Sequence, residues 1–323
     1  MRSATSEPAT KLEITISPLG EDDLPAADYV FRLAFGTMLG LAEPLRFAEG
    51  AEMVRSRYLA DPAAAFKAEV DGDLVGSAFV TRWDSFAVFG PLTVHPDLWN
   101  RGVGTRLWEA RLPLLDSWGV TLAGLFTSPH GTKHVHLYQK FGFWPRFLTA
   151  LTAKPVAPAS GRPVETYSAL SETEREELLG ECRTLTDAIY PGLDVEREIR
   201  VVADQRIGDV VLVREDGGLA GFAVCHAGAG SEAAAETCYV KFGAARPGVR
   251  AAERFGRLLD ACEDFAATLG LVRVEAGVNA ARHDAYRTLL AHGHQTFVHG
   301  VAMHRPNEAG YSRPDAFVLD DWR

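Results

Sequence analysis

Gly102 and Gly104 stand in the run Val94-His95-Pro96-Asp97-Leu98-Trp99-Asn100-Arg101-Gly102-Val103-Gly104-Thr105-Arg106-Leu107-Trp108, which reads as a strand, a glycine turn and the opening of a helix. Two residues without a Cβ let the backbone come close to a ligand. The first N–H groups of the new helix lack intrahelical acceptors and lie at its positive dipole end, so a phosphate or pyrophosphate is the chemistry this turn can hold. A plain strand-to-helix connection would have the same spacing, so the turn alone does not identify a ligand.

A second landmark follows one strand and one helix later, at Leu137-Tyr138-Gln139-Lys140-Phe141-Gly142-Phe143-Trp144. Together, Val94, Pro96, Gly102, Gly104, Leu137, Tyr138, Gly142 and Phe143 resemble the acetyl-CoA motifs of the GNAT N-acetyltransferase superfamily, in order and in separation. The resemblance covers about residues 12 to 153. Trp99 stands where that superfamily usually has Gln or Arg, which removes one polar side chain from the phosphates and leaves the backbone amides of Arg101, Gly102, Val103, Gly104 and Thr105.

What the resemblance implies is specific. Acetyl-CoA is the co-substrate, with its pantetheine arm along the backbone of Leu92, Thr93 and Val94. An acceptor amine attacks the thioester directly, and Tyr138 matches the tyrosine that protonates the departing thiolate. An aromatic anchor at the end of a core helix is the other reading of Tyr138. The base is not legible, because Ser85 to Pro96 holds no carboxylate. Asp84, His130 and His134 are the candidates. The short spacings of His130, His134 and His136 raise a metal site, but no Cys, Asp or Glu lies between residues 117 and 142, so no metal is expected.

The elements that must position these residues follow from periodicity and turn chemistry. A strand is expected near 13 to 17, helices near 22 to 35 and 46 to 59, a hairpin at 65 to 82 and a strand at 85 to 95. A helix at 102 to 117, a strand at 121 to 127, a helix at 132 to 141 and a strand at 144 to 153 complete the first half. Residues 154 to 163, with three prolines, read as a linker. Beyond it the plan repeats: the hairpin at Asp71-Gly72-Asp73 recurs at Asp216-Gly217-Gly218, and Gly76 and Gly102 recur as Gly221 and Gly248 at nearly the same separation. The expected class is α/β of the α+β type, as two tandem GNAT-like units, each a mixed and mostly antiparallel sheet flanked by helices. Residues 1–11 are expected to be a disordered N-terminus, 12–153 an N-terminal acetyl-CoA-binding domain, 154–163 a linker, 164–305 a degenerate second domain and 306–323 a polar tail. In the second copy Pro247 removes an N–H, Arg250 replaces the second glycine and Leu289 takes the place of Tyr138. Arg246, Arg250, Arg254 and Arg257 read as a solvated helix face, supported by a Glu253 to Arg257 pair, with the ribose phosphate of a nucleotide cofactor as the other reading.

At 323 residues with 47% apolar and 24% charged side chains, the chain is globular and long enough for two cores. Its net charge of −10 speaks against a nucleic-acid partner. Residues 1–155 carry 15 basic and 17 acidic side chains against 18 and 26 in residues 156–323, so the acidity lies in the second half. No secretory or membrane-spanning run is present, and Cys182, Cys225, Cys238 and Cys262 show no metal or disulfide spacing. The expectation is a cytoplasmic N-acetyltransferase, monomer or homodimer, acting on a small-molecule or peptide amine, with no membrane and no nucleic acid as partner. A non-catalytic acyl-CoA-binding or sensor protein is the alternative. A mycothiol synthase-like enzyme, similar in tandem layout but with its second copy active, is a lesser one.

Overall fold

The computed structural model describes residues 12–158 and 160–323; the expected disordered stretch 1–11 lies outside them. The first half runs β1 (Thr15–Pro18), α1 (Leu24–Met38), α2 (Met53–Ala60), β2 (Ala65–Val70), β3 (Asp73–Trp83), β4 (Phe86–Val94), α3 (Val103–Trp118), β5 (Leu122–Thr127), α4 (Thr132–Lys140) and β6 (Trp144–Pro155). The second runs β7 (Glu165–Thr166), α5 (Glu172–Ile189), α6 (Glu196–Asp204), β8 (Gly208–Glu215), β9 (Gly218–Ala227), β10 (Thr237–Ala245), α7 (Ala251–Thr268), β11 (Arg273–Asn279), α8 (His283–Ala291), β12 (Gln295–Arg305) and β13 (Val318–Leu319). None of these helices is long and apolar enough to cross a membrane.

Matching turns build matching hairpins. Asp71 and Gly72 have φ of 53° and 90°, and Asp216 and Gly217 have 52° and 80°. Two successive positive φ values make a two-residue turn whose twist suits the flanking strands. Val70 therefore faces Asp73, and Glu215 faces Gly218.

The halves do not keep separate sheets. All strands join one sheet in the order β1-β2-β3-β4-β5-β12-β6-β11-β10-β9-β8-β7, with β13 on β10. At the centre one long strand of each half, β6 and β12, is lodged in the other. β12 lies between β5 and β6, and β6 lies between β12 and β11, so β6 has no ladder partner from its own half. Strand β6 also runs on to Pro155, and the expected linker is tied down: Val156 donates to the Val272 carbonyl, Ala157 to Glu263 and Ser160 to Asp264.

The segment after β12, expected as a polar tail with a few apolar residues packed on the body, runs through the interior. Ala316 to Trp322 are all buried. Strands β10 and β11 pair in parallel only from Thr237 to Val240, then part. The tail enters that wedge as β13, where Leu319 and Val318 face Gly243 and Ala244, and Ala245 donates to the Phe317 carbonyl. Arg282, fully buried, holds it there through the Val318 carbonyl at 3.0 Å and the Asp320 carboxylate at 2.7 Å.

A charged network crosses between the halves. Glu232 accepts from Arg57 of α2 at 2.8 Å and from Lys241 of β10 at 2.5 Å, and Glu198 of α6 accepts from the Trp83 indole at 3.0 Å. Desolvation opposes burying these charges, but each carboxylate meets cations or N–H donors, so the group holds as a unit.

Candidate functional site

Strands β4 and β5 form a second wedge, in the position that the wedge of β10 and β11 has in the other half. Phe86 to Phe89 pair in parallel with Leu122 to Leu125, and pairing then stops. On its other edge β4 stays bound to β3, where the register is broken between Ala78 and Val80. His95 gives its N–H to the Val75 carbonyl. Because ladder bonds alternate along a strand, Thr93 also turns its backbone towards β3, while Leu92 and Val94 turn theirs into the wedge. Of the three strand residues expected to bind a cofactor, Leu92 and Val94 thus present backbone groups there and Thr93 does not; its hydroxyl sits 3.1 Å from Ser77. Trp99 is 39% exposed and donates its indole N–H to the Val94 carbonyl at 2.7 Å, which takes one of these acceptors.

At the mouth of the wedge the chain turns into α3. Asn100 (φ 65°) and Gly102 (φ 89°) supply the left-handed residues of the turn. Arg101 spends its N–H on the Leu98 carbonyl, and the first helical bond runs from Arg106 to Gly102. The amides of Gly102, Val103, Gly104 and Thr105 are therefore the ones left for an anion. Across the turn, Lys133 at the start of α4 donates to Asn100 at 3.2 Å. Sequence reasoning missed this lysine, and it restores a cation near the turn where Trp99 removed a polar side chain.

Tyr138 lies on α4, half-buried, with its ring edge against Trp108 at 5.5 Å. Burial raises its pKa, while the Thr127 hydroxyl and the Arg111 charge act in the opposite direction. Its phenol therefore stays protonated at neutral pH, as a proton donor requires. His134 is one helical turn away and partly buried, and burial together with the Lys133 charge lowers its pKa, leaving a neutral imidazole. His130 is exposed on the loop between β5 and α4. Asp84 is not brought to the wedge: it pairs with Arg82 at 3.1 Å beyond the closed end of β4, roughly 20 Å of extended chain from Gly90.

The second half lacks this equipment. Its wedge is filled by β13. Arg250, Arg254 and Arg257 converge on Glu215 at 2.8, 2.5 and 3.0 Å, and Arg246 donates to the Leu219 carbonyl. The expected Glu253 to Arg257 pair is replaced by Glu253 with Arg250 at 2.8 Å. Leu289 is fully buried in the core.

Residues 37–143, about a third of the chain, match the model of the acetyltransferase (GNAT) family. No curated protein matches the sequence. Among solved structures, a Pyrococcus horikoshii protein assigned to the acetyltransferases superposes with a TM-score of 0.68 at 13% identity, over 99% of this chain and 98% of that one. A GCN5-related N-acetyltransferase from Sphaerobacter thermophilus gives 0.58 at 16%, over 90% and 95%. A tandem GNAT protein from the clavulanic acid biosynthesis pathway gives 0.54 at 16%, over 90% and 98%. At these identities the likeness is one of fold, and it extends to a tandem GNAT arrangement.

Proposed function

We propose, from the premise that this chain carries a GNAT acetyltransferase domain, that it is an acetyl-CoA-dependent N-acetyltransferase whose single active site is the wedge of β4 and β5. One observation carries the reading: of two equivalent wedges, the second is filled by the chain's own β13, while the first keeps the inward backbone groups of Leu92 and the Val94 N–H beside the free amides of Gly102 to Thr105. An extended pantetheine arm suits the strand groups, and a pyrophosphate suits the turn and Lys133. The 12–153 unit then supplies the chemistry, and the 164–305 unit supplies support and walls.

In this reading the amine attacks the thioester carbonyl, a C–N bond forms and the C–S bond breaks. Tyr138 gives its hydroxyl proton to the departing sulfur. His134, neutral and one turn away, is the side chain best placed among Asp84, His130 and His134 to take the amine proton. The remaining work is orientation, which is worth several kcal/mol in well-aligned bimolecular reactions.

The absence of any carboxylate on β4 favours a second reading, a non-catalytic acyl-CoA binder. Calorimetric titration of the full chain with acetyl-CoA, followed by thiol release across a panel of primary amines, separates the two. One site per chain with amine-dependent thiol release supports the enzyme. Binding without release above the hydrolytic background supports the binder, and no binding overturns both.

A further inference from the structure

Arg111 is a buried cation without a counter-ion. It sits on α3 in the apolar stripe of Val103, Leu107, Trp108 and Leu115, with no side-chain exposure. Among the described residues no carboxylate comes within 4.0 Å of its guanidinium. Its Nε donates to the Leu107 carbonyl and its Nη1 to the Phe79 carbonyl, both at 3.1 Å, and its Nη2 has no partner. The plane stacks on Trp108 at 4.4 Å and reaches Phe89 at 5.2 Å.

Leaving a charge in this state costs stability, because desolvation is not repaid by an ion pair. Burial pushes the group down to about 9, so it still carries its charge at neutral pH. Two placements give it a use. Phe79 is the residue of β3 that falls in the register break opposite Gly90 and Pro91, so Arg111 satisfies a carbonyl at the point where the wedge opens. Trp108, on which Arg111 stacks at 4.4 Å, also carries Tyr138 on its edge at 5.5 Å, so the buried charge and the phenol pack on one ring.

We propose that Arg111 is a positioning residue for Tyr138: its fixed positive charge stabilises the phenolate left when Tyr138 gives its proton to the departing thiolate. This rests on the reading of Tyr138 as the acid. The balance is simple: the O–H bond of Tyr138 breaks, an S–H bond forms on coenzyme A, and the phenolate takes a proton back from solvent before the next turnover. Arg111 exchanges no proton and touches no substrate.

The test uses the full chain at pH 7, where Arg111 is charged. Thiol release from acetyl-CoA over the amine panel is read in Arg111→Gln, which keeps donors for the Phe79 carbonyl but no charge, in Tyr138→Phe and in the double variant. Arg111→Gln lowers kcat about tenfold when Tyr138 is present, leaves KM for acetyl-CoA unchanged, and has no further effect on Tyr138→Phe. An unchanged kcat in Arg111→Gln, a loss confined to KM, or an equal loss in both backgrounds overturns the proposal. Full turnover by Tyr138→Phe instead overturns the acid reading on which it rests. If Arg111→Gln does not fold, the pH profile of kcat decides: turnover falls as the pH rises through about 9, where Arg111 loses its charge, in the unaltered protein and not in Tyr138→Phe. A fall shared by both proteins, or absent from both, overturns the electrostatic role.

Discussion

The indole of Trp322 lies against Gly124, so close that a Cβ at Gly124 would fall 2.6 Å from its Cζ3 atom. Gly124 is in β5, in the middle of the first half, whereas Trp322 is nearly the last residue of the second. Phe86, Tyr311 and His304 surround the same ring at 5.2, 6.3 and 5.2 Å. A segment that first fills the wedge of the second half therefore continues into the core beneath the wedge of the first.

Gly124→Ala tests that packing. The added methyl meets Trp322 and also the Phe86 ring at 3.0 Å, and neither can leave without opening the core. We expect a loss of about 1–3 kcal/mol in urea unfolding, typical of overpacking. Pairing it with Trp322→Leu, which makes room, gives a double variant less destabilised than the sum of the singles. Strict additivity would sink the contact.

The pH dependence of stability has a readable sign. Burial pushes His226 down to about 3, and His294 and His304 to about 4. Each stays neutral in the folded chain, while in the unfolded chain each binds a proton below about 6.5. The unfolded state then holds more protons, so stability is fully present above pH 6.5 and falls as the pH drops from 6.5 towards 4. The slope is about 1.4 kcal/mol per histidine for each full pH unit. Urea midpoints at pH 7.5, 6.5 and 5.5 check this, and a flat profile would contradict it. A folded His304→Gln variant has a shallower slope.

Much of the first wedge was legible because its elements are local. Alternation, the Asp-Gly turns and the glycine turn each occupy a few consecutive residues, and the expected helix at 102 to 117 is observed as Val103–Trp118. The exchange of β6 and β12 was not legible, since each strand reads the same whichever half it joins. The packing of the tail's apolar residues was legible, but its depth was not, because Asp320, Asp321 and Arg323 look like surface charges until Arg282, Tyr239 and Glu275 are seen to meet them. Arg111 did leave a signal: a cation at a core position of the stripe formed by Leu107, Trp108 and Leu115.

The turn itself is tested by two glycines with different constraints. A Cβ at Gly104 would be 3.6 Å from Leu137 and 3.8 Å from Leu92, ordinary contacts, so the backbone there accepts a side chain, and thermal melting confirms that Gly104→Val is folded before its affinity is read. It places a side chain where the pyrophosphate approaches, and acetyl-CoA affinity falls by about tenfold or more, on the order of 1.4 kcal/mol. Gly102→Ala meets no neighbour but must hold φ at 89°, which costs about 1–2 kcal/mol of stability. Calorimetry and thermal melting of both variants distinguish the effects. Undiminished affinity in a folded Gly104→Val would remove the phosphates from this turn.

The exchanged strands make the most demanding prediction. In a fragment of residues 1–155, β5 would lose β12, and β6 would lose both of its ladder partners, β12 and β11. The aromatic core would lose Phe242, Tyr311 and Trp322 from beside Trp83 and Phe86. The fragment 156–323 would lack β6 in the same way, leaving β11 and β12 without the strand that joins them. Neither can close a sheet alone, because the vacant position lies in the middle of the ladder rather than at its edge. We expect each fragment to lack a cooperative thermal transition and to aggregate or remain largely unfolded. Co-expression restores a complex that melts cooperatively and binds acetyl-CoA. A monomeric 1–155 fragment that folds cooperatively and binds acetyl-CoA by itself would show that the exchange is dispensable, and would return the first half to the status of a self-sufficient domain.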